Sequence, residues 1–182
     1  MSKITTKQIV FSAMAIALAT VIATVLKLPS LPFGGSVTLF SMLVICLIGY
    51  WYGAKIGLIA AFTYGILQFI TGPYVVHPLQ VLLDYPLAFG ALGLSGFFCE
   101  SKNGLIKGYL FGSMGRLFVH CISGVIFYTE YVGDALGNLA AIWAGILYNM
   151  SYILPEVILT LLLLALPPVR SAFGELKKIA RS

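Results

Sequence analysis

Apolar residues run along this chain in blocks long enough to cross a bilayer, with the polar residues gathered in the gaps between them. A membrane span needs about 20 mostly apolar residues, and six stretches meet or approach that length. The first runs from about Gln8 to Leu26 and stops before Lys27-Leu28-Pro29. A Pro/Gly/Ser loop from Pro29 to Ser36 leads to a short second stretch, Val37 to Trp51, ended by Gly53-Ala54-Lys55. The third covers Ile56 to Ile70 and is closed by Thr71-Gly72-Pro73. The fourth goes from Leu79 to Phe98, before a polar break at Glu100 to Asn103, and the fifth is Leu105 to Tyr128. An acidic loop, Glu130 to Asp134, precedes the sixth, Asn138 to Leu166, where Pro167-Pro168 stops the helix. The expected fold is all-α: one membrane domain over 1–182, a six-transmembrane-helix bundle with spans near 8–26, 37–51, 56–70, 79–98, 105–128 and 138–166.

Small residues recur at the spacing that lets helix backbones touch in lipid. Gly53, Gly57, Ala61 and Gly65 form such a ridge on the third span, and Gly108 and Gly112 repeat it on the fifth. Both ridges are expected to pack inside the bundle. Ala13 and Ala17, with Ala15 and Ala19, make a small-residue face on the first span that could equally meet another protein.

Composition agrees with a membrane setting. Of 182 residues 60% are hydrophobic and 9% charged, against roughly 25% charged in soluble domains. The net charge of +5 does not imply nucleic acid, since no Lys/Arg cluster carries aromatic neighbours in a polar segment. Cys46, Cys99 and Cys121 are an odd number inside apolar runs and read as small packing residues. No A-x-A pattern follows the first run, so a retained helix is expected there. Orientation follows from the cations. Placing both termini in the cytoplasm puts Lys3, Lys7, Lys55, Lys102, Lys107, Arg170, Lys177, Lys178 and Arg181 there and leaves only Lys27 outside. The basic tail from Arg170 to Arg181 is expected to meet anionic lipid.

Four ionisable residues, Asp84, Arg116, His120 and Glu156, remain inside apolar stretches. A charge at membrane depth costs upwards of ~2.5 kcal/mol and is rarely kept without a partner or a task. Asp84 lies five residues below Leu79, about 7–8 Å deep at 1.5 Å per residue. Pro86 cannot donate to the Leu82 carbonyl, which loosens the helix there. Asp84 is either a cap for a short helix or a ligand contact, or both. Arg116, His120, Gly124 and Tyr128 recur every four residues and share one face. Arg116 is expected to pair with Asp84, because a neutral pair costs less in low dielectric than either ion alone. Asn149 and Tyr152 share one side of the sixth span, with Trp143 and Tyr148 nearby, and Glu156 reads as a structural partner for a loosened backbone or another helix.

Gly93-Leu94-Ser95-Gly96 matches the G-x-S-G of intramembrane serine proteases. Depth argues against that chemistry, since Ser95 would lie about 24 Å below the outer surface and His120 about 12 Å, whereas nucleophile and base need about 3 Å. No Walker loop, metal-ligand cluster or paired carboxylates occur, so no enzyme, metal or cofactor is expected. What remains is a polar hollow ringed by Tyr74, Tyr85, Tyr128, Trp143, Tyr148 and Tyr152, with Asp84 as its acid. Such a site suits a flat, cationic or amine-bearing ligand.

The same residues carry a resemblance. Gly34 to Val37, His77 to Tyr85, Gly115 to Gly124 and Tyr148 to Pro155 resemble the thiamine-specific substrate-binding subunits (S components) of energy-coupling factor (ECF) transporters, with spans and loops in matching order over nearly the whole chain. The resemblance implies that Asp84 holds the aminopyrimidine and that His120 and Asn149 add polar contacts. It places Tyr85, Tyr74 and Gln80 around the pocket, Tyr128 near the thiazolium and Arg116 near the acid. It makes Pro29 to Ser36 a lid, and the Ala13/Ala17 face the dock for an ECF transmembrane subunit that works with two ATPase subunits. This chain departs from the family in carrying Ala144 where relatives have a Tyr, with Trp143 one place earlier and about 100° away around the helix, and in lacking a lid Trp found in some relatives. The implied function is uptake of thiamine, vitamin B1, from outside the cell. Alternatives are a sister subunit for another small vitamin or the hydroxymethyl pyrimidine precursor, and a stand-alone proton-coupled carrier using Asp84, His120 and Glu156 as a relay.

Overall fold

The computed structural model describes residues 3–29, 31, 35–127 and 138–182, and these are helical apart from short connections. Among the described residues five helices are long and apolar enough to cross a membrane: α1 (Thr6–Val25), α3 (Ala54–Thr71), α4 (Pro78–Phe98), α5 (Gly104–Ile126) and α6, which spans Asn138–Ala165. A shorter one, α2 (Ser41–Tyr52), lies between α1 and α3, and α7 (Pro167–Arg181) closes the chain. The bundle is the expected six-helix one. Tyr128 and the acidic loop from Glu130 to Asp134 lie outside the described residues.

Local chemistry explains most helix ends. At α1 the Thr5 hydroxyl accepts from the Gln8 amide at 3.3 Å while the Gln8 side chain accepts from the Thr5 amide at 2.9 Å, a reciprocal cap. α4 starts with Pro78 in its first turn and His77 as its cap, the ring Nδ1 accepting from the Leu79 amide at 3.1 Å. Asp84 is therefore not a cap. It sits one and a half turns further on, where Leu83–Leu87 widen into a π-turn around Pro86. The missing proline N–H and the clash of its ring with the preceding turn account for that widening. Below it, Ala91–Phe98 tightens to a 3₁₀ helix.

α2 begins four residues later than the hydrophobic pattern suggests. Residues 37–40 are extended or bent, and Phe40 takes a left-handed backbone conformation with φ of 68° just before the helix. The connection from α1 doubles back on itself, Leu28 donating to the Val37 carbonyl and Leu39 to the Leu26 carbonyl, each at 3.0 Å. At 1.5 Å per residue a helix of this length rises only about 18 Å, little more than half of a bilayer's hydrocarbon core. Apolar all round, α2 is buried among α1, α3, α5 and the inner part of α4.

The inner half of the bundle is held by backbone-on-backbone contact. A methyl group on Gly57 would lie 2.8 Å from the Gly49 Cα and 2.9 Å from the Gly93 carbonyl, and one on Gly108 would lie 2.6 Å from the Ser95 carbonyl. Both glycine ridges thus face their neighbours inside the bundle. Ser95 belongs to this packing: its hydroxyl donates to the Cys46 carbonyl at 3.0 Å. On α1, Ala15 and Ala19 are buried and Ala13 and Ala17 are exposed, so the alanines divide between two faces.

Pro167 and Pro168 stop α6 but also start α7, since proline fits the first turn of a helix as well as it blocks a continuing one. The basic tail read from the sequence as lipid-facing is partly committed to the protein. Lys177 donates to the Cys99 carbonyl and Arg181 to the Trp51 carbonyl, capping the inner ends of α4 and α2. Arg181 also pairs with Glu100 at 2.6 Å and holds that carboxyl below its ordinary range. In return, Tyr52 and Lys7 donate to the last carbonyls of α7, at 3.2 Å to Ala180 and 2.7 Å to Ile179.

Candidate functional site

The end of the bundle opposite α7 contains a hollow of about 650 Å³, within the usual range for small-molecule sites. Its lining comes from α1 and the strap after it (Ala23, Thr24, Lys27, Gly35, Ser36, Thr38) and from α3 and its loop (Tyr64, Gln68, Thr71, Gly72, Pro73, Tyr74). α4 adds Gln80, Asp84, Tyr85 and Phe89, α5 adds Arg116, His120 and Gly124, and α6 adds Ala144, Gly145, Tyr148, Asn149 and Tyr152. This is the end that the distribution of cations predicts to be extracellular.

Its electrostatic centre is a chain of three side chains, not a simple pair. The Arg116 Nε donates to His120 Nε2 at 3.4 Å, and His120 Nδ1 meets Asp84 Oδ1 at 3.2 Å. Arginine has only donors, so the histidine nitrogen facing it must accept, and the neutral ring's proton lies on Nδ1 toward the carboxylate. The expected direct contact between Arg116 and Asp84 is replaced by this relay, because the arginine is anchored elsewhere: its guanidinium lies 4.1 Å from the Phe89 ring centroid. The cation and the anion still balance, through an imidazole.

Asp84 is fixed from a second side. The Gln80 amide donates to its Oδ2 at 2.6 Å, and Gln80 is itself set by the Val76 amide and the Tyr74 carbonyl. The wide π-turn keeps Asp84 one turn from Gln80 on the hollow's wall. With one strong donor on each oxygen, a carboxylate retains lone pairs for a further partner.

Asn149 is nearly saturated by the protein. Its amide donates to the His120 and Gly145 carbonyls at 3.1 and 2.9 Å, and its oxygen accepts from Tyr152 at 2.5 Å. Gly124 makes this possible: a side chain there would meet the Asn149 amide at 2.9 Å, so α5 and α6 approach closely only across glycine. The tyrosines form an aromatic wall, with Tyr148 and Tyr152 edge-to-face at 5.6 Å and Tyr152 edge-to-face with His120 at 6.0 Å. Tyr85 lines the hollow with its ring against Phe69, while its hydroxyl accepts from the Tyr74 amide and donates to the Gly72 carbonyl.

Of the residues singled out from the sequence, Asp84, Tyr85, His120, Asn149, Arg116, Tyr74, Gln80, Gly124 and Tyr148 come together around one space. Trp143 does not. It is 58% exposed on the outer face of α6, and Ala144 takes the lining position instead. Glu156 lies apart from the Arg116–His120–Asp84 chain and is bonded instead to Thr38 and to the start of α2. The sequence reading missed Tyr64, Gln68 and Thr71. Their spacing of four and three places them on one stripe of α3, a polar face on an apolar helix that could have been read.

Fold and hollow together define a small polytopic membrane protein with a ligand-sized site at one end. The family described as Thiamine transporter protein (Thia_YuaJ) matches residues 9–173, and the chain belongs to it. It is 32% identical over 152 residues to the thiamine transporter ThiT of Bacillus subtilis (strain 168), covering 75% of this chain and 77% of that protein. To the thiamine transporter ThiT of Lacticaseibacillus paracasei it is 35% identical over 89 residues, 40% of this chain and 44% of that one. Among solved structures, ThiT from Listeria monocytogenes has a similar fold, with a TM-score of 0.58 at 23% identity, covering 89% of this chain and 93% of that chain.

Proposed function

We propose that this chain captures thiamine from outside the cell and serves as the substrate-binding member of an ECF-type importer in the plasma membrane. The observation that carries the reading is Asp84: a carboxylate with both oxygens oriented by His120 and Gln80 on the wall of a ring-lined hollow. Such a group accepts from the exocyclic amine of an aminopyrimidine, and the rings of Tyr148 and Tyr152 suit the flat thiazolium cation. Membership of a family of thiamine transporters supports the same ligand. Energy for uptake would come from two partner ATPase subunits. The exposed Ala13/Ala17 face of α1 is smooth enough for close helix contact and is assigned to a partner transmembrane subunit.

Calorimetry of the purified chain with thiamine, its hydroxymethyl pyrimidine precursor and riboflavin tests the ligand. Thiamine is expected to bind most tightly, and preference for either of the others would refute the assignment. Uptake in cells with and without the ATPase subunits tests the coupling. Full uptake without them would make the chain a stand-alone carrier.

A further inference from the structure

The hollow's outer wall includes the strap from Gly35 to Phe40, and one face of α6 holds it at two levels. Tyr148, Tyr152 and Glu156 are spaced by four along α6 and so form a single stripe. The Gly35 amide donates to the Tyr148 hydroxyl at 2.8 Å, and a side chain at Gly35 would collide with both tyrosines. Two turns deeper, Thr38 donates to Glu156 Oε2 at 2.9 Å and the Met42 amide donates to Oε1 at 3.1 Å. Ser41 lies 2.7 Å from the Thr38 hydroxyl and 3.4 Å from Glu156. With the Thr38 hydrogen on Glu156 at 2.9 Å, the Ser41 hydroxyl is left to donate to Thr38. Glu156 is 2% exposed and has no lysine or arginine within ion-pair distance among the described residues. A carboxylate in that position is a substantial desolvation cost to the fold. In its place stand the two donors and the start of α2, whose helix dipole favours an anion.

We infer that Glu156 is a positioning residue for ligand capture: through the Thr38 hydroxyl it clasps the inner end of the strap to α6, fixing the outer wall of the hollow without touching the ligand. The inference rests on the reading that the hollow takes thiamine. The clasp itself does not, and the two are tested separately.

The decisive variants are Thr38→Val, which removes the link but keeps the shape, Thr38→Ser, which restores the hydroxyl, and Glu156→Leu. Thiamine binding is followed by calorimetry and its dissociation by chasing labelled thiamine with unlabelled ligand, and the strap by hydrogen exchange of the Val37 to Phe40 amides in the ligand-free protein. Thr38→Val is expected to weaken thiamine on the order of tenfold, as faster dissociation with little change in association, and to accelerate exchange in the strap. Thr38→Ser should recover both. The double variant Thr38→Val/Glu156→Leu should bind no worse than its weaker parent, since both act through one link. Additive losses would show that Thr38 meets the ligand itself and would overturn the inference. So would unchanged strap exchange in Thr38→Val, or a loss that Thr38→Ser shares. If Glu156→Leu does not fold, Thr38→Val and Thr38→Ser decide alone. If the unmutated chain binds no thiamine while Thr38→Val still loosens the strap, the ligand assignment falls and the clasp stands.

Discussion

The two halves of this bundle use the same helices in opposite ways. In the inner half, α3, α4 and α5 meet across Gly57, Gly93 and Gly108, with main chain against main chain and no room for a methyl group. In the outer half the same helices carry Tyr64, Tyr85 and Arg116, and the space between them opens into the hollow. Glycine brings main chains together throughout the inner half, and around the hollow it does so only locally, at Gly65 against Tyr85 and Gly145 against Gly124, with large side chains lining the space between. Polar groups follow the same division. The outer half concentrates Asp84, His120, Gln80 and Asn149, each bonded to another protein group, while the inner half buries single hydroxyls such as Ser95 against carbonyls.

The sharpest way to break this contrast is to enlarge the inner packing. Gly93→Leu would drive a side chain into the Leu58 backbone, where a methyl group alone would lie 2.5 Å from its Cα. Main chain cannot step aside as a rotamer can, so the loss should exceed about 3 kcal/mol, seen as failure to recover folded, monodisperse protein. Recovery with a near-normal melting temperature would show that the inner half is looser than described. Next in size is Asp84→Asn, expected to weaken thiamine by about 1.5–3 kcal/mol, roughly ten- to a hundredfold. An unaltered affinity in calorimetry would remove the carboxylate from the site. The smallest effect belongs to Trp143→Ala. With that ring on the outer face of α6, thiamine affinity should stay within about 0.5 kcal/mol, and a larger loss would bring Trp143 back toward the ligand.

The fold was more legible than the site, for reasons that particular residues make plain. Length and apolarity bound a membrane helix directly, so α1, α3, α5 and α6 are readable from hydropathy. The start of α2 is not, because Val37 to Phe40 are as apolar as the helix they precede and only Phe40's backbone conformation separates them. α7 was hidden by Pro167 and Pro168, a pair that signals a stop equally well as a start. Periodicity correctly put Arg116, His120 and Gly124 on one face. It could not order them, since whether arginine meets aspartate directly or through histidine depends on where Phe89 draws the guanidinium. Trp143 and Ala144 differ by one position, and only the rotation of α6 decides which of them looks inward.

The clamp at the α7 end has a bearing on how the molecule could be rebuilt. Lys7 Nζ lies 3.2 Å from the Ser182 hydroxyl, so the outermost turns of the first and last helices are already side by side. A cysteine at each of these two positions would lie within reach of a short bifunctional cross-linker, tying the first helix to the last without touching the guest-holding end.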